Sequence, residues 1–113
     1  PFAVFLNDDN QNYVEPDLSV ICNPVQIDDK GCHGAPDWII EIVSPSSERM
    51  DYVVKTFKYR TAGVREYWVI DKTLQKVTVF DFENDNMFEY DFTQKIPVLI
   101  YDGELEIDLS RFI

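Results

Sequence analysis

Residues 37–45, Asp37-Trp38-Ile39-Ile40-Glu41-Ile42-Val43-Ser44-Pro45, form an apolar run with a single carboxylate in its middle. The run is rich in branched side chains and stops at Ser-Pro, which is typical of a strand buried on both faces of a sheet. An ionised carboxylate inside such a strand is costly unless a cation, a metal or hydrogen bonds hold it. Glu41 therefore needs a partner, unless it lies at a frayed strand end and reaches water.

Length and composition limit the architecture. A chain of 113 residues, 45% hydrophobic and 14% aromatic, is long enough for one packed core and too short for two. We therefore expect a single domain over residues 1–113. No run approaches the roughly 20 apolar residues of a membrane span, and no signal segment opens the chain, so we expect a soluble, cytoplasmic protein. The first residue is Pro and not Met, which suggests that an N-terminal part is missing.

The formal net charge of -11 argues against a general nucleic-acid binder, because affinity for phosphate backbones rests on clustered Lys and Arg. The charge is unevenly distributed, since residues 49–76 hold three acids and seven bases. This basic segment is a candidate phosphate-facing patch. A solvated helix face beside acidic loops explains the same pattern equally well.

Two cysteines, Cys22 and Cys32, lie near the single histidine, His33. A secreted domain of this size would normally carry a disulfide framework, so a reducing compartment fits better. Cys22 ends an apolar run and is expected in the core. A structural zinc site would need two more ligands at short spacing, and the sequence does not offer them.

The order of elements follows from periodicity and turn residues. Pro16 holds Asp17 at the rigid entrance of a strand, and residues 23–36 read as a loop. After residue 48 the period becomes helical, with a serine at 44, 46 or 47 as cap and Gly63 as the end. The expected strands are Phe2–Leu6, Leu18–Cys22, Trp38–Val43, Glu66–Asp71, Lys76–Phe82, Met87–Phe92, Val98–Tyr101 and Leu105–Leu109.

Two stripes of side chains run along the expected helix. The apolar stripe is expected to pack on the sheet, with Trp68 of the next strand in the core; its members are Met50, Val53, Val54 and Phe57. The neighbouring stripe repeats every four residues and holds Asp51, Lys55 and Tyr59. We expect Lys55 to point at the acids of the sheet; the alternative is a pairing with Asp51 across one turn.

Asp17, Glu41 and Lys55 form the candidate site. Two carboxylates on adjacent strands repel each other, and a shared divalent ion relieves the repulsion. Hard oxygen ligands favour Mg²⁺ or Mn²⁺. Such an ion can activate water or polarise a phosphoryl oxygen, and a nearby lysine can steady the negative charge that develops.

Several motifs together carry a resemblance to a known family. They are Val14-Glu15-Pro16-Asp17-Leu18-Ser19-Val20, Gly34-Ala35-Pro36-Asp37, Glu41-Ile42-Val43-Ser44-Pro45-Ser46, the helical Asp51, Lys55 and Tyr59, Gly63-Val64, and Glu66-Tyr67-Trp68-Val69-Ile70-Asp71. In order and spacing they closely resemble the Uma family of putative restriction endonucleases, within the PD-(D/E)XK nuclease superfamily. The resemblance implies a mixed sheet flanked by helices and a magnesium site.

The resemblance also implies roles for individual residues. Asp17 matches the first acid of the motif and Glu41 the second, and both are metal ligands by this correspondence. The superfamily's lysine, two residues after the second acid, is here Val43, and the match moves it to Lys55 on the helix. A superfamily acid on an N-terminal helix has no counterpart in this chain.

The sequence thus predicts an α/β domain with a restriction-endonuclease-like mixed sheet and a magnesium-dependent activity that hydrolyses DNA phosphodiester bonds. The catalytic residues are Asp17, Glu41 and Lys55, the metal ligands Asp17 and Glu41, and the cofactor Mg²⁺ or Mn²⁺. We expect DNA as the partner and no membrane, and the sequence leaves a homodimer open. The alternative, favoured by the acidic surface, is a non-catalytic interaction domain that retains the nuclease fold.

Overall fold

The computed structural model describes residues 2–7, 12–43 and 49–113, with side chains of the helix described from Val53 onward. One helix, α1 (Arg49–Ala62), and ten strands are found in these ranges. The strands are β1 (Val4–Phe5), β2 (Leu18–Val20), β3 (Ile27–Asp28), β4 (Gly31–His33), β5 (Trp38–Val43), β6 (Glu66–Asp71), β7 (Lys76–Asp81), β8 (Asn86–Asp91), β9 (Lys95–Pro97) and β10 (Glu106–Asp108). The serine cap expected at residues 44–47 lies outside the described ranges.

The main sheet has five strands in the order β2-β5-β6-β7-β8. β5 and β6 are parallel, and the other neighbours are antiparallel. α1 connects the parallel pair, because parallel neighbours need a crossover and cannot be joined by a tight turn. The structure therefore confirms the α/β class and the mixed sheet that the sequence predicts.

Gly63 ends α1 as the sequence predicts. Its φ of +99° lies in the left-handed region that glycine enters without a steric penalty. Its N–H donates to the carbonyl of Arg60, and the N–H of Val64 donates to the carbonyl of Tyr59. These two bonds form a Schellman motif, which satisfies carbonyls at the helix end and fixes where the chain enters β6.

The two faces of the main sheet bury separate apolar clusters. On one face, Ile39, Tyr67 and Val69 pack with Tyr59 of α1 and with residues of the small sheet formed by β1, β4 and β3. On the other face, Trp38, Trp68 and Val79 pack against the segment that carries β9 and β10; its buried members are Phe92, Ile96 and Val98. Trp68 is fully buried, as predicted. β5 and β6 are therefore covered on both sides.

The prediction that the apolar stripe of the helix packs on the sheet is wrong. Val53, Val54 and Phe57 are 56%, 58% and 72% exposed, and the side chain of Met50 lies outside the described set. The helix instead turns Tyr59 toward the sheet, where it is fully buried. Apolar periodicity places a stripe on a helix, but it does not decide which of two adjacent stripes meets the sheet.

Three smaller expectations are also corrected. The stretch read as a loop, residues 23–36, contains the β3–β4 hairpin. Its Gly31 is required, because a Cβ there would lie 2.2 Å from the carbonyl oxygen of Ala3. Val98–Tyr101 is not a strand, since Leu99–Tyr101 forms a 3-10 turn. Cys22 is exposed, because the second strand, β2, ends at Val20 before reaching it.

No helix in the described part of the chain is long and apolar enough to cross a membrane.

Candidate active site

Glu41 is the buried acid of the central strand. It is 5% exposed, so the alternative of a strand end open to water does not hold. The hydroxyl of Tyr59 donates a hydrogen bond of 2.9 Å to Oε1 of Glu41. Burial raises the pKa of this carboxyl, while the Tyr59 hydroxyl and the Lys55 ammonium oppose that rise and the negative charge of Asp17 adds to it. The partners that the sequence predicts Glu41 to need are therefore the Tyr59 hydroxyl and the Lys55 ammonium.

Asp17 lies just before β2 and beside Glu41. β2 pairs with β5 in antiparallel register, with Leu18 opposite Ile40, so Asp17 lies level with Glu41 on the adjacent strand. The Oδ2 atom of Asp17 accepts a 2.7 Å hydrogen bond from the backbone N–H of Ile42. The structure thus brings the two predicted acids together, and their mutual repulsion contributes to the raised pKa of Glu41.

Lys55 reaches the same position from the helix. Its Nζ lies 3.7 Å from Oε1 of Glu41, and its side chain is one-third exposed. The orientation matches the expectation that this lysine points at the acids of the sheet. The alternative partner, Asp51, has a side chain outside the described set. The residue before β2, the strand β5 and the helix α1 therefore contribute the two acids and one cation of the candidate site.

The donor set suits a hard divalent cation with few protein ligands. Among the side chains that the structure describes, in residues 2–7, 12–43 and 53–113, no three His, Cys, Asp or Glu gather in a group that could hold a metal. Mg²⁺ commonly keeps several waters and binds through one or two carboxylates plus substrate phosphates. Asp17 and Glu41 provide such a pair, and a cation between them would relieve their repulsion.

A second buried acid, Glu66, has a different environment. It is 1% exposed and accepts hydrogen bonds from Trp68 Nε1 and from the backbone N–H groups of Leu99 and Ile100. Three neutral donors satisfy this carboxylate inside the protein, so it anchors the 3-10 turn to the sheet. Sequence reasoning missed this role, because Glu66 stands at the first position of its strand, where an exposed acid is ordinary.

Asp37, in the Pro-Asp pair that precedes β5, also has a structural role. It accepts hydrogen bonds from the Cys22 N–H and from Arg65 Nη1. Burial would raise the pKa of Asp37, but these two donors outweigh burial and lower it. Asp37 heads β5 four residues before Glu41, so it lies toward the opposite end of that strand and apart from the candidate site.

The basic segment is partly neutralised by the acidic chain around it. Arg60 pairs with Asp85, and Arg65 pairs with Asp37 and with Glu83. Lys58, one turn from Lys55, is exposed. Two arginines of residues 49–76 therefore already have carboxylate partners. Fewer cations remain to contact a phosphate than the seven bases of this segment suggest.

The five-stranded mixed sheet and its crossover helix define an α/β domain. The family model described as putative restriction endonuclease, Uma2, matches residues 3–109, and the chain belongs to this family. Among solved structures, a putative nuclease of the DUF820 group from Anabaena variabilis aligns with a TM-score of 0.73 and 23% identity. The alignment covers 98% of this chain and 64% of that chain. The comparison with curated proteins found no match.

Proposed function

We propose that this protein is a magnesium-dependent endonuclease that hydrolyses phosphodiester bonds of DNA. The observation that carries the proposal is the meeting of Asp17, just before β2, Glu41 of β5 and Lys55 of α1. A buried carboxylate whose pKa is raised by burial lowers the stability of the folded state near neutral pH. Its presence in the central strand therefore indicates a role other than stability. Membership of a family described as restriction endonucleases supports the same reading.

Asp17 and Glu41 are the residues that would hold the ion. Each has one oxygen engaged by the protein: Oδ2 of Asp17 by the N–H of Ile42, and Oε1 of Glu41 by Tyr59. These bonds fix the orientation of both carboxylates before any ligand arrives, which reduces the ordering cost of binding. A bound Mg²⁺ supplies Lewis-acid polarisation of a phosphoryl oxygen and a more acidic water.

Lys55 supplies a second positive charge at the same position. Its ammonium is within 4 Å of Glu41 and is partly open to solvent, so it can reach a phosphate group as well as the carboxylate. A cation held there stabilises negative charge that develops on the phosphate during hydrolysis. Because Lys55 rests against Glu41, its position is set by the sheet and not by the helix alone.

DNA is the substrate that the family description indicates. The acidic surface, with a net charge of -11, repels a phosphate backbone, so a divalent cation and a small basic area are needed to bring the two together. Lys55 on α1, 3.7 Å from Glu41, is the cation that the structure places at the two acids. Binding of DNA is therefore expected to depend on the metal.

The test is a nicking assay on supercoiled plasmid with the full-length protein. Conversion to the open-circular form is expected with Mg²⁺ or Mn²⁺, and none with EDTA. The control is Asp17→Asn, which keeps an oxygen to accept the Ile42 N–H and removes the charge that a metal needs. Nicking by this variant at the wild-type rate would contradict the proposal.

The same preparation separates this function from the non-catalytic alternative. Two arginines of the basic segment are already paired with acids, which favours an interaction domain over a strong DNA binder. An interaction domain would neither bind Mn²⁺ at Asp17 and Glu41 nor nick the plasmid. Wild-type protein that binds Mn²⁺ and nicks the plasmid, with both properties lost in Asp17→Asn, would exclude the interaction domain.

A further inference from the structure

Two groups converge on one oxygen of the buried acid. The Tyr59 hydroxyl donates to Oε1 of Glu41 at 2.9 Å, and Nζ of Lys55 lies 3.7 Å from the same atom. Of these two contacts, the one to Tyr59 has the length of an ordinary hydrogen bond and the one to Lys55 is longer. The Tyr59 hydroxyl is therefore the contact that fixes the orientation of the Glu41 carboxylate more strongly.

Tyr59 is rigidly held. Its side chain is fully buried, and its ring meets that of Tyr67 edge to face, with centroids 5.0 Å apart and an interplanar angle of 65°. Its carbonyl accepts the N–H of Val64 in the motif that ends α1. Both the ring and the backbone are thus fixed by packing, so the hydroxyl reaches Glu41 without an ordering cost at the time of ligand binding.

Resting on the proposed function, we propose that Tyr59 is a positioning residue that holds Oε1 of Glu41 and thereby reserves the other carboxylate oxygen, Oε2, for the metal. The terminal torsion of a glutamate is broad and roughly two-fold, so the carboxylate has no intrinsic preference for one oxygen over the other. Tyr59 supplies that preference. Lys55 is then kept on the Oε1 side, where it does not compete with the ion.

Removal of the hydroxyl would release both constraints. In Tyr59→Phe the ring stays in the core, while Glu41 loses the hydroxyl and keeps its backbone contact with Asp17 and the charge of Lys55, so Lys55 can move to either oxygen. An ammonium on the metal-facing oxygen would compete with a divalent cation for the same charge. Partners that hydrogen-bond to a metal ligand typically contribute 10- to 100-fold to metal affinity.

The experiment measures Mn²⁺ binding to the full-length protein without DNA, by the loss of the free-ion EPR signal. Tyr59→Phe is expected to bind Mn²⁺ about 10- to 100-fold more weakly than wild type. The Mg²⁺ concentration that gives half-maximal nicking should rise by the same factor, with much of the rate recovered at saturating metal. The matched control is Tyr90→Phe, a half-buried tyrosine on the opposite face of the sheet, which should leave affinity unchanged.

A rescue variant separates positioning from packing. Replacement of Tyr59 by 4-aminophenylalanine puts an N–H donor where the O–H was and should restore most of the affinity. Mn²⁺ affinity of Tyr59→Phe within twofold of wild type, or no recovery with the amine, would overturn the inference. Should Tyr59→Phe fail to fold, 4-methylphenylalanine at position 59 decides, because it fills the space of the hydroxyl without a donor, so a donor role predicts weakened Mn²⁺ binding and a packing role predicts near-normal binding.

The outcomes also distinguish this inference from the proposed function. If wild type binds no Mn²⁺, or if Asp17→Asn binds it equally well, the proposed metal site fails. If wild type binds, Asp17→Asn does not, and Tyr59→Phe matches wild type, only the positioning role fails.

Discussion

The carboxylate of Asp17 accepts a hydrogen bond from the backbone N–H of Ile42, 25 residues later in the chain. Ile42 directly follows Glu41, so a single bond ties the first acid to the strand that carries the second. The bond extends the pairing of β2 with β5 by a side chain, at the point where the ladder from Leu18 to Val20 ends. The separation of the two acids is therefore set by strand geometry and not by loop conformation.

Substitutions of Asp17 should separate its anchoring role from its charge. Asp17→Asn retains an oxygen for the Ile42 N–H, and we expect its free energy of unfolding to stay close to that of wild type. Asp17→Ala loses the acceptor and should be destabilised by about 1 kcal/mol. Metal-dependent nicking should be lost in both variants. Urea unfolding and the plasmid assay measure the two effects, and equal stability losses in both variants would contradict the anchoring role.

Glu41→Gln should lose activity and gain stability near neutral pH. Burial raises the pKa of Glu41 above its ordinary value of 4.5. A carboxyl whose pKa is raised by folding contributes its full stability below the unfolded pKa and loses it as pH rises through the folded pKa. Glutamine removes this loss, so the advantage of the variant should grow as pH rises from 4 toward 7.

Urea unfolding of wild type and Glu41→Gln across that pH range checks the sign. Parallel stability curves would show that Glu41 has the same pKa folded and unfolded. The nicking assay on the same samples should show a loss of at least about 100-fold. A gain in stability with loss of activity identifies Glu41 as a residue retained for function.

Lys55→Met should abolish or strongly reduce nicking while leaving the fold intact. The lysine is one-third exposed, so the solvent screens its pairing with Glu41 and the change in free energy of unfolding should stay within about 1 kcal/mol. Lys58→Met, one turn away and exposed, is the matched control and should retain most activity. If Lys58→Met is inactive and Lys55→Met is active, the two lysines exchange roles.

Because the Phe57 side of α1 faces solvent and Trp68 lies in the core, substitutions at these two positions should differ strongly in their effect on stability. Phe57 is 72% exposed, so Phe57→Ser should change the free energy of unfolding by no more than about 0.5 kcal/mol. Trp68 is fully buried, and Trp68→Ala should cost about 3–5 kcal/mol. Thermal or urea unfolding measures both. A large loss in Phe57→Ser would contradict the exposure of this face of α1.

Much of the fold could be predicted from local pattern. The apolar run at residues 38–43 predicts a buried strand, and the change of period after residue 48 predicts the helix that Gly63 ends. The order strand, helix, strand indicates a crossover with the two strands parallel or in one mixed sheet, and the structure pairs them in parallel. These features depend on side-chain periodicity and on the backbone freedom of single residues, both of which are properties of the sequence itself.

Local pattern failed near the end of the chain, where a long-range contact decides the conformation. Val98–Tyr101 has the apolar character of a strand, but Leu99–Tyr101 forms a 3-10 turn whose N–H groups bind Glu66, 33 and 34 residues away. A long-range acceptor decides the conformation of this segment, and local propensity is too weak to resist it.

The sequence by itself determined that an acid stands within an apolar strand and needs a partner unless it reaches water, and the structure shows that it is buried. Only the tertiary structure decided what that partner is. Two stripes of α1 could meet the sheet, one apolar with Val53, Val54 and Phe57, the other carrying Lys55 and Tyr59. The buried carboxylate favours the stripe that brings donors, because an unpaired charge in the interior costs more free energy than exposed apolar side chains do.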